Sequence, residues 1–199
     1  MPFVSAIVLA AGASTRMGRQ KALMEFAGTT LVDYHVTQLR ASGEVAEIIV
    51  VTGHEPEAVV AALNPHRDVR IVHNAEYSTG KVSSIKAGLR TVSPAADSVL
   101  IIAVDQPRPG PLFRELVRNH NASSAPITIP TSNGRRGHPI VLRIALLTDL
   151  TSMTERDQGL RGILKRHQTE IQEVELHDER VLVDLNAPAD ANTAASLNW

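Results

Sequence analysis

The sequence predicts an α/β protein with three layers, in which helices cover both faces of a Rossmann-like, mostly parallel β-sheet. Two observations support this prediction. Short apolar runs alternate with segments of helical spacing over residues 3–120, and two of the runs, "EIIVV" and "SVLIIAV", are almost continuously apolar. Strands covered on both faces have this composition. Alternating strands and helices form right-handed units around a parallel sheet.

The individual elements follow from the same patterns. The predicted strands are rich in β-branched and aliphatic residues and lie at 3–10, 47–51, 69–74, 98–104 and 126–130. The predicted helices carry apolar residues on one face and lie at 29–43, 56–63, 82–92 and 110–120. In the first helix a threonine precedes the apolar face, and Gly43 provides an end.

The pattern changes after residue 130. The sequence there predicts a Gly/Arg loop, the apolar stretch "HPIVL", helices near 144–150 and 159–167, a β-hairpin made by "EIQEVEL" and "RVLVDL", and a final helix in "PADANTAASLN". No repeat or linker separates this part from the rest. We therefore expect a single domain over residues 1–199, with the second half inserted on the same sheet.

Composition limits the possible functions. The chain has 199 residues, of which 43% are hydrophobic, enough for one substantial core. Its formal net charge of -1 disfavours nucleic acid as a partner, so any anion site must be built locally. The absence of cysteine excludes disulfides, thiolate metal sites and thiol catalysis.

Targeting and metal signals are weak. We see neither a basic leader nor an apolar run of roughly 20 residues, so we expect a cytoplasmic protein that does not enter the membrane. The histidines are scattered, the nearest pair being His66 and His73. A histidine-based zinc site is therefore not expected.

The segment "VLAAGASTRMGRQKAL" follows the first strand, where open α/β sheets bind ligands. Gly12 and Gly18 would let backbone amides approach an anion, and Arg16, Arg19 and Lys21 supply positive charge. The glycine spacing fits neither a P-loop nor the dinucleotide fingerprint. From these residues alone, an ordinary solvated turn remains the alternative.

Two later segments carry polar groups at the ends of elements. Ser83 and Ser84 lie at the start of a predicted helix, where either could simply be its N-cap. Asp105 ends an apolar strand in "LIIAVDQPRPG", where a carboxylate must be solvated, paired or bound to metal. Capping the following helix is the alternative for Asp105.

The opening string closely resembles the signature of the MobA-like NTP transferases, the nucleotidyltransferases that activate molybdenum cofactor. The matching positions are Leu9-Ala10-Ala11-Gly12-x-Ser14-x-Arg16-Met17-Gly18-x-x-Lys21. The resemblance implies a sheet of the nucleotide-diphospho-sugar transferase type with a small β-hairpin insertion. It also implies that this loop wraps an NTP, with Arg16 and Lys21 on the phosphates. "NAEYSTGKVSSIKAGL" resembles the family's stretch beside the base, which adds Gly80, Ser83 and Ser84.

The resemblance also implies a Mg²⁺ site. Asp-Gln-Pro after the fourth strand carries the family's metal ligand, here Asp105. "LVDLNAPADA" resembles the family's Asp-Ile-Asp-Thr-Pro-x-Asp ending, in which Asp184 matches and Asn186 replaces the commoner carboxylate. An asparagine carbonyl can bind Mg²⁺, although it holds the ion less strongly than a carboxylate.

Two further segments resemble the parts of the family that bind the acceptor. "IPTSNGRRGHPIVL" implies that Arg135, Arg136, Gly137 and His138 face the second substrate, with a basic hairpin tip as the alternative. "RDQGLRGIL" resembles the cofactor-specific Gly-Asp-x-Gly-Ala-Arg motif. It retains Asp157 and Arg161 but has Arg156 and Leu160 where relatives have glycine and alanine. A helix start with an ordinary ion pair is the alternative there.

Together the motifs imply Mg²⁺-dependent transfer of CMP from CTP to the phosphate of molybdopterin, with release of pyrophosphate. In the family, Leu-Ala-Ala-Gly goes with cytidine and Leu-Ala-Gly-Gly with guanosine, which favours CTP over GTP. A molybdoenzyme or its chaperone is a further candidate partner. Two alternatives remain open: a sugar-1-phosphate or guanylyl transferase of the same fold, and a non-catalytic protein that binds nucleotide or cofactor.

Overall fold

The structure is a computed structural model that describes residues 2–13 and 20–186, together with 190, 194, 197 and 199. The strands are β1 (Val4–Ala10), β2 (Glu25–Phe26), β3 (Thr29–Thr30), β4 (Glu47–Thr52), β5 (Arg70–His73), β6 (Ser98–Ala103), β7 (Ile127–Ser132), β8 (Arg135–Arg136), β9 (Ile140–Arg143) and β10 (Ile171–Glu175). The helices are α1 (Leu31–Ser42), α2 (Pro56–Ala62), α3 (Lys81–Leu89), α4 (Gly110–Ala122), α5 (Leu147–Ser152) and α6 (Gly159–Arg166). No helix in these residues is both long enough and apolar enough to cross a bilayer.

The central sheet confirms the predicted fold class. Its strands follow the order β10-β7-β9-β6-β1-β4-β5, and β8 pairs with β7 at its end. Strands β6, β1, β4 and β5 run parallel to one another. Strand β9 runs antiparallel between β6 and β7, and β10 is again parallel to β7. The carboxyl ends of β1, β4 and β6 therefore meet at one edge.

Helices cover both faces because β1 is buried throughout and alternate side chains point to opposite faces. Val8 lies in one core cluster with residues of α1, α2 and α4, whereas Ile7 lies in a second cluster with residues of α3, α5 and α6. Burying each such aliphatic side chain contributes about 1.5–3 kcal/mol. The three layers follow from this double burial.

The ends of α1 are as predicted. Thr30 is its N-cap, and the hydroxyl accepts a hydrogen bond from the backbone N–H of Asp33 at 3.4 Å. Gly43 ends the helix with φ of 74°, a left-handed conformation that glycine adopts without steric cost.

The predicted hairpin after residue 170 is wrong. β10 pairs in parallel with β7, and residues 179–182 form a 3-10 turn that Asp178 caps. The carbonyls of Val181 and Val183 accept hydrogen bonds from the buried guanidinium of Arg108, so they are not available to a β-ladder. A short antiparallel pairing occurs instead between β7 and β8. The predicted final helix lies mostly outside the described residues.

Two fully buried histidines, His35 and His120, are held in their neutral form. His35 donates through Nε2 to the carbonyl of Val104 at 3.0 Å, and burial lowers its pKa to about 4. His120 lies between the hydroxyls of Ser98 and Thr128, and burial lowers its pKa to about 4 as well.

The neutral histidines predict that acid destabilises the fold. Between about pH 6.5 and pH 4 the unfolded chain binds protons that buried imidazoles reject, so the free energy of unfolding falls as pH falls. For His35 the loss between pH 7 and pH 5 is about 2 kcal/mol. Urea unfolding at the two pH values measures it. His35→Gln should reduce the fall in the free energy of unfolding between pH 7 and pH 5, while the same change at the exposed His73 should not. An equal fall in the parent protein and both variants would contradict the prediction.

Candidate active site

A cleft of about 430 Å³ opens at the carboxyl ends of β1 and β6, beside the start of α3. Most of the residues predicted to bind nucleotide line it: Leu9, Ala10, Ala11, Gly12, Lys21, Gly80 and Ser84. Ser83 does not, and the predicted Ser14 and Arg16 lie outside the described residues. The structure therefore brings the two distant nucleotide motifs to one cleft, which we call the first cleft.

A second cleft of about 710 Å³ adjoins the first. Of the residues predicted to bind the acceptor, it is lined by Arg136, Gly137, His138 and Arg161. Asp157 is not in the lining. Its carboxylate accepts a hydrogen bond from the hydroxyl of Thr154 at 2.5 Å, and the N-cap of α6 is Gln158.

The two clefts share three lining residues, Lys81, Asp105 and Asn186, which we call the junction. Asp105 does not cap the following helix, because the N-cap of α4 is Pro109 and no side chain bonds to it. The backbone carbonyl of Asp105 instead accepts from the N–H of Leu185 at 2.8 Å, which fixes the segment that carries Asn186 beside the end of β6.

The oxygens of the two predicted metal ligands converge on one cation. The ammonium of Lys21 donates to Oδ2 of Asp105 at 2.7 Å and to Oδ1 of Asn186 at 3.1 Å. Both carboxylate and amide oxygens suit Mg²⁺, so the pair fits a hard divalent ion. Among the described residues, no cluster of three or more histidine or acidic side chains could hold a metal alone. Further ligands would have to come from phosphate oxygens or water.

The start of α3 is not capped by a serine, which was the alternative role for Ser83 and Ser84. Neither Ser83 nor Ser84 is the N-cap; that residue is Gly80, which makes no side-chain bond. Glu155 accepts the N–H of Val82 at 2.8 Å and so caps the helix from a distant loop. The amide of Asn74 donates to both serine hydroxyls, at 2.9 and 3.0 Å, which leaves Ser84 at the wall of the first cleft.

His138 in the second cleft is neutral, so it does not attract phosphate as a cation. Burial is the main reason that its pKa falls to about 3, and the positive charges of Arg108 and Lys81 lower it further. Arg136 pairs with Glu173 at 2.6 Å. The exposed Arg135 is not among the residues that line the second cleft.

Arg108 is the most important residue that the sequence reasoning missed. Its side chain is 0% exposed, and its guanidinium donates to the carbonyls of Pro107, His138, Val181 and Val183 at 2.6–2.9 Å. Burial lowers its pKa to about 9, so it stays charged at neutral pH. The only signal in the sequence is an arginine between two prolines after a buried strand. Arginine is usually exposed, so this signal is weak.

A polar cleft at the carboxyl edge of a mostly parallel sheet is where nucleotide-binding α/β proteins hold their ligands, and this molecule has that arrangement. The chain belongs to the MobA-like NTP transferase domain family, which matches residues 6–171. It is therefore a member of a nucleotidyltransferase family.

Its relatives carry different names. The nicotine blue oxidoreductase of Paenarthrobacter nicotinovorans is 30% identical over 94% of this chain and 93% of its own length. The molybdenum cofactor cytidylyltransferase of Escherichia coli (strain K12) is 26% identical over 98% of this chain and 96% of its own length. The solved structure of a nucleotidyl transferase from Methanothermobacter thermautotroptrophicus has a TM-score of 0.81 at 26% identity, covering 98% of this chain and 96% of that one. The names of these relatives therefore do not agree on one reaction.

Proposed function

We propose that the protein is a Mg²⁺-dependent nucleotidyltransferase that transfers CMP from CTP to the phosphate of molybdopterin and releases pyrophosphate. The observation that carries the proposal is the junction, where Asp105 and Asn186 stand between two adjoining clefts and face the ammonium of Lys21. One cleft has room for a nucleotide, and the other has room for a second substrate. The family membership and the likeness to the cytidylyltransferase support the same reaction.

The site residues suit a transfer that needs no general base. A phosphate nucleophile is already anionic near neutral pH, and the neutral His138 would orient it by hydrogen bonding rather than by charge. With Mg²⁺ on the two oxygens that Lys21 now contacts, the ammonium of Lys21 would turn to the triphosphate and neutralise its charge. The two clefts would align the acceptor with the α-phosphorus. Mg²⁺ held by Asp105 and Asn186 would supply Lewis-acid neutralisation of phosphate oxygens.

The choice of CTP rests on the backbone and methyl groups around the base. Ala11 lines the first cleft, and its carbonyl is already bonded to the N–H of His54 at 3.1 Å, so this wall is fixed. Its methyl group adds bulk where a glycine would leave space, which favours the smaller pyrimidine by a modest factor.

Ligand-induced stabilisation tests the nucleotide. With Mg²⁺ present, CTP at about 100 times its Kd should raise the melting temperature by roughly 5–10 °C, and GTP or ATP should raise it less. Addition of molybdopterin should then release pyrophosphate, measured with a coupled phosphate assay. Asp97→Asn, at the opposite end of β6, serves as a control that keeps both responses.

The alternatives give different results in the same experiment. Pyrophosphate release with GTP alone, or only with a sugar 1-phosphate, would replace the proposed substrates within the same reaction class. Tight CTP binding without any pyrophosphate release would indicate a carrier. Stabilisation by NADH but by no NTP would contradict the transferase proposal and group the chain with its oxidoreductase relative.

A further inference from the structure

Lys81 is the member of the junction that neither the nucleotide motif nor the metal pair uses. It is the first residue of α3, its side chain is exposed, and it lines both clefts. In the part of the chain that the structure describes, no carboxylate forms an ion pair with its ammonium. In the stretch that resembles the family's segment beside the base, the pair Lys81-Val82 stands where many relatives carry a methionine.

The charged side chains at the junction indicate what an ammonium at this position could do. The junction has one carboxylate, on Asp105, while Asn186 contributes only a neutral amide where a second carboxylate is commoner. The junction itself therefore holds one carboxylate and the ammonium of Lys81, while Glu155 and Asp184 also line the second cleft. Two phosphate-bearing substrates meeting here would repel each other, and a nearby ammonium reduces that repulsion.

We propose that Lys81 is a further catalytic residue, whose ammonium contacts the acceptor phosphate as it meets the α-phosphate of the nucleotide across the junction. The inference deepens the proposed function and rests on it. It assigns the second cleft to acceptors that end in a phosphate. Its location supports it: Lys81 lies near the imidazole of His138 in the second cleft, whose pKa it helps to lower, and also lines the wall of the first.

The step that Lys81 assists is balanced without any additional reactant. An acceptor phosphate oxygen forms a bond to the α-phosphorus, and the bond from that phosphorus to the bridging oxygen of the β-phosphate breaks. The electron pair leaves with pyrophosphate. Lys81 transfers no proton in this step, and its ammonium offsets the charge that the two phosphates bring together.

Three variants separate this role from a general effect of charge. Lys81→Met removes the charge and keeps an unbranched side chain, and Lys81→Arg keeps the charge. Lys86→Met removes a lysine from the same helix outside both clefts and is the matched control. The first readout is equilibrium binding of inorganic phosphate, a stand-in for the acceptor phosphate, to protein holding Mg²⁺ and a non-transferable methylene analogue of CTP.

We expect Lys81→Met to weaken phosphate binding roughly tenfold or more, and Lys81→Arg to retain most of it. Lys86→Met should bind inorganic phosphate with the same affinity as the parent protein. In turnover, Lys81→Met should lower kcat/KM for the acceptor by roughly 30- to 100-fold with little change in the KM for CTP. Lys81→Met that binds phosphate and turns over like Lys86→Met would overturn the inference.

The two proposals fail in different ways. If the parent protein releases no pyrophosphate with any acceptor, yet Lys81→Met alone loses phosphate binding, the proposed function fails and the phosphate contact of Lys81 stands. If the parent protein turns over and Lys81→Met matches its control in both readouts, the function stands and the assignment of Lys81 is wrong.

Discussion

Replacing Asp105 with asparagine should lower pyrophosphate release by at least about 10³-fold. Asp105 is the only carboxylate at the junction, and its oxygen converges with that of Asn186 on a single cation. In the variant, two neutral amides would face Mg²⁺ and the triphosphate. The substitution keeps the size of the side chain, so the lost charge is the change that the assay measures.

The fold should survive this substitution. The pair formed by Lys21 and Asp105 is partly exposed, at 17% and 22%, and an ion pair of this kind contributes about 0.2–1 kcal/mol. The free energy of unfolding of Asp105→Asn, measured in urea, should therefore be close to that of the parent protein. In the same variant, Mg²⁺ should no longer increase the affinity for CTP. Asp97→Asn, at the amino end of the same strand, should change neither property. An Asp105→Asn protein that keeps a tenth of the parent rate would rule out the proposed role of this carboxylate.

The sequence predicted best the parts of the fold that local periodicity determines. β4 and β6 are nearly continuous apolar runs, and α1 has both a threonine cap and a terminal glycine. The predicted hairpin strand at 180–185 was wrong because contacts from a distant part of the chain, and not local periodicity, determine the structure there. Its alternation of aliphatic residues has the local pattern of a strand, but a guanidinium 73 and 75 residues away takes two of its carbonyls.

In the site, too, some features were predictable from the sequence and others depend on long-range packing. The meeting of Lys21 with Asp105, which lies 84 residues further along the chain, was predictable because the parallel strands β1 and β6 end at one edge. Asn186 follows no strand, and only the family resemblance predicted that it would lie beside Asp105. The capping of α3 by Glu155 was not predictable, because it depends on how a loop 73 residues away packs. The neutral state of His138 likewise follows from burial that no spacing in the sequence reveals.

The largest loss of stability is expected for Arg108→Met, about 4 kcal/mol or more. A buried ion pair can often be replaced by apolar groups at little cost, because both charges leave together. Arg108 differs, since its four partners are backbone carbonyls that remain polar after the substitution. Those of Pro107 and Val181 are buried and those of His138 and Val183 are partly buried, and within the described residues only the Val181 carbonyl keeps another donor, the N–H of His138 at 3.0 Å. Each unsatisfied acceptor costs about 1–3 kcal/mol.

A matched control lies on α4. Arg114 also donates to two backbone carbonyls, those of Ala41 and Ser42, but its side chain is only partly buried, so water can replace it. Arg114→Met should therefore cost about 1 kcal/mol in the same urea titration. The loss in the free energy of unfolding for Arg108→Lys should lie between those of the two methionine variants, because one ammonium cannot reach four carbonyls spread over three segments. A free energy of unfolding for Arg108→Met within about 1 kcal/mol of the parent protein's would contradict the prediction and show that residues 181–183 are held without the guanidinium.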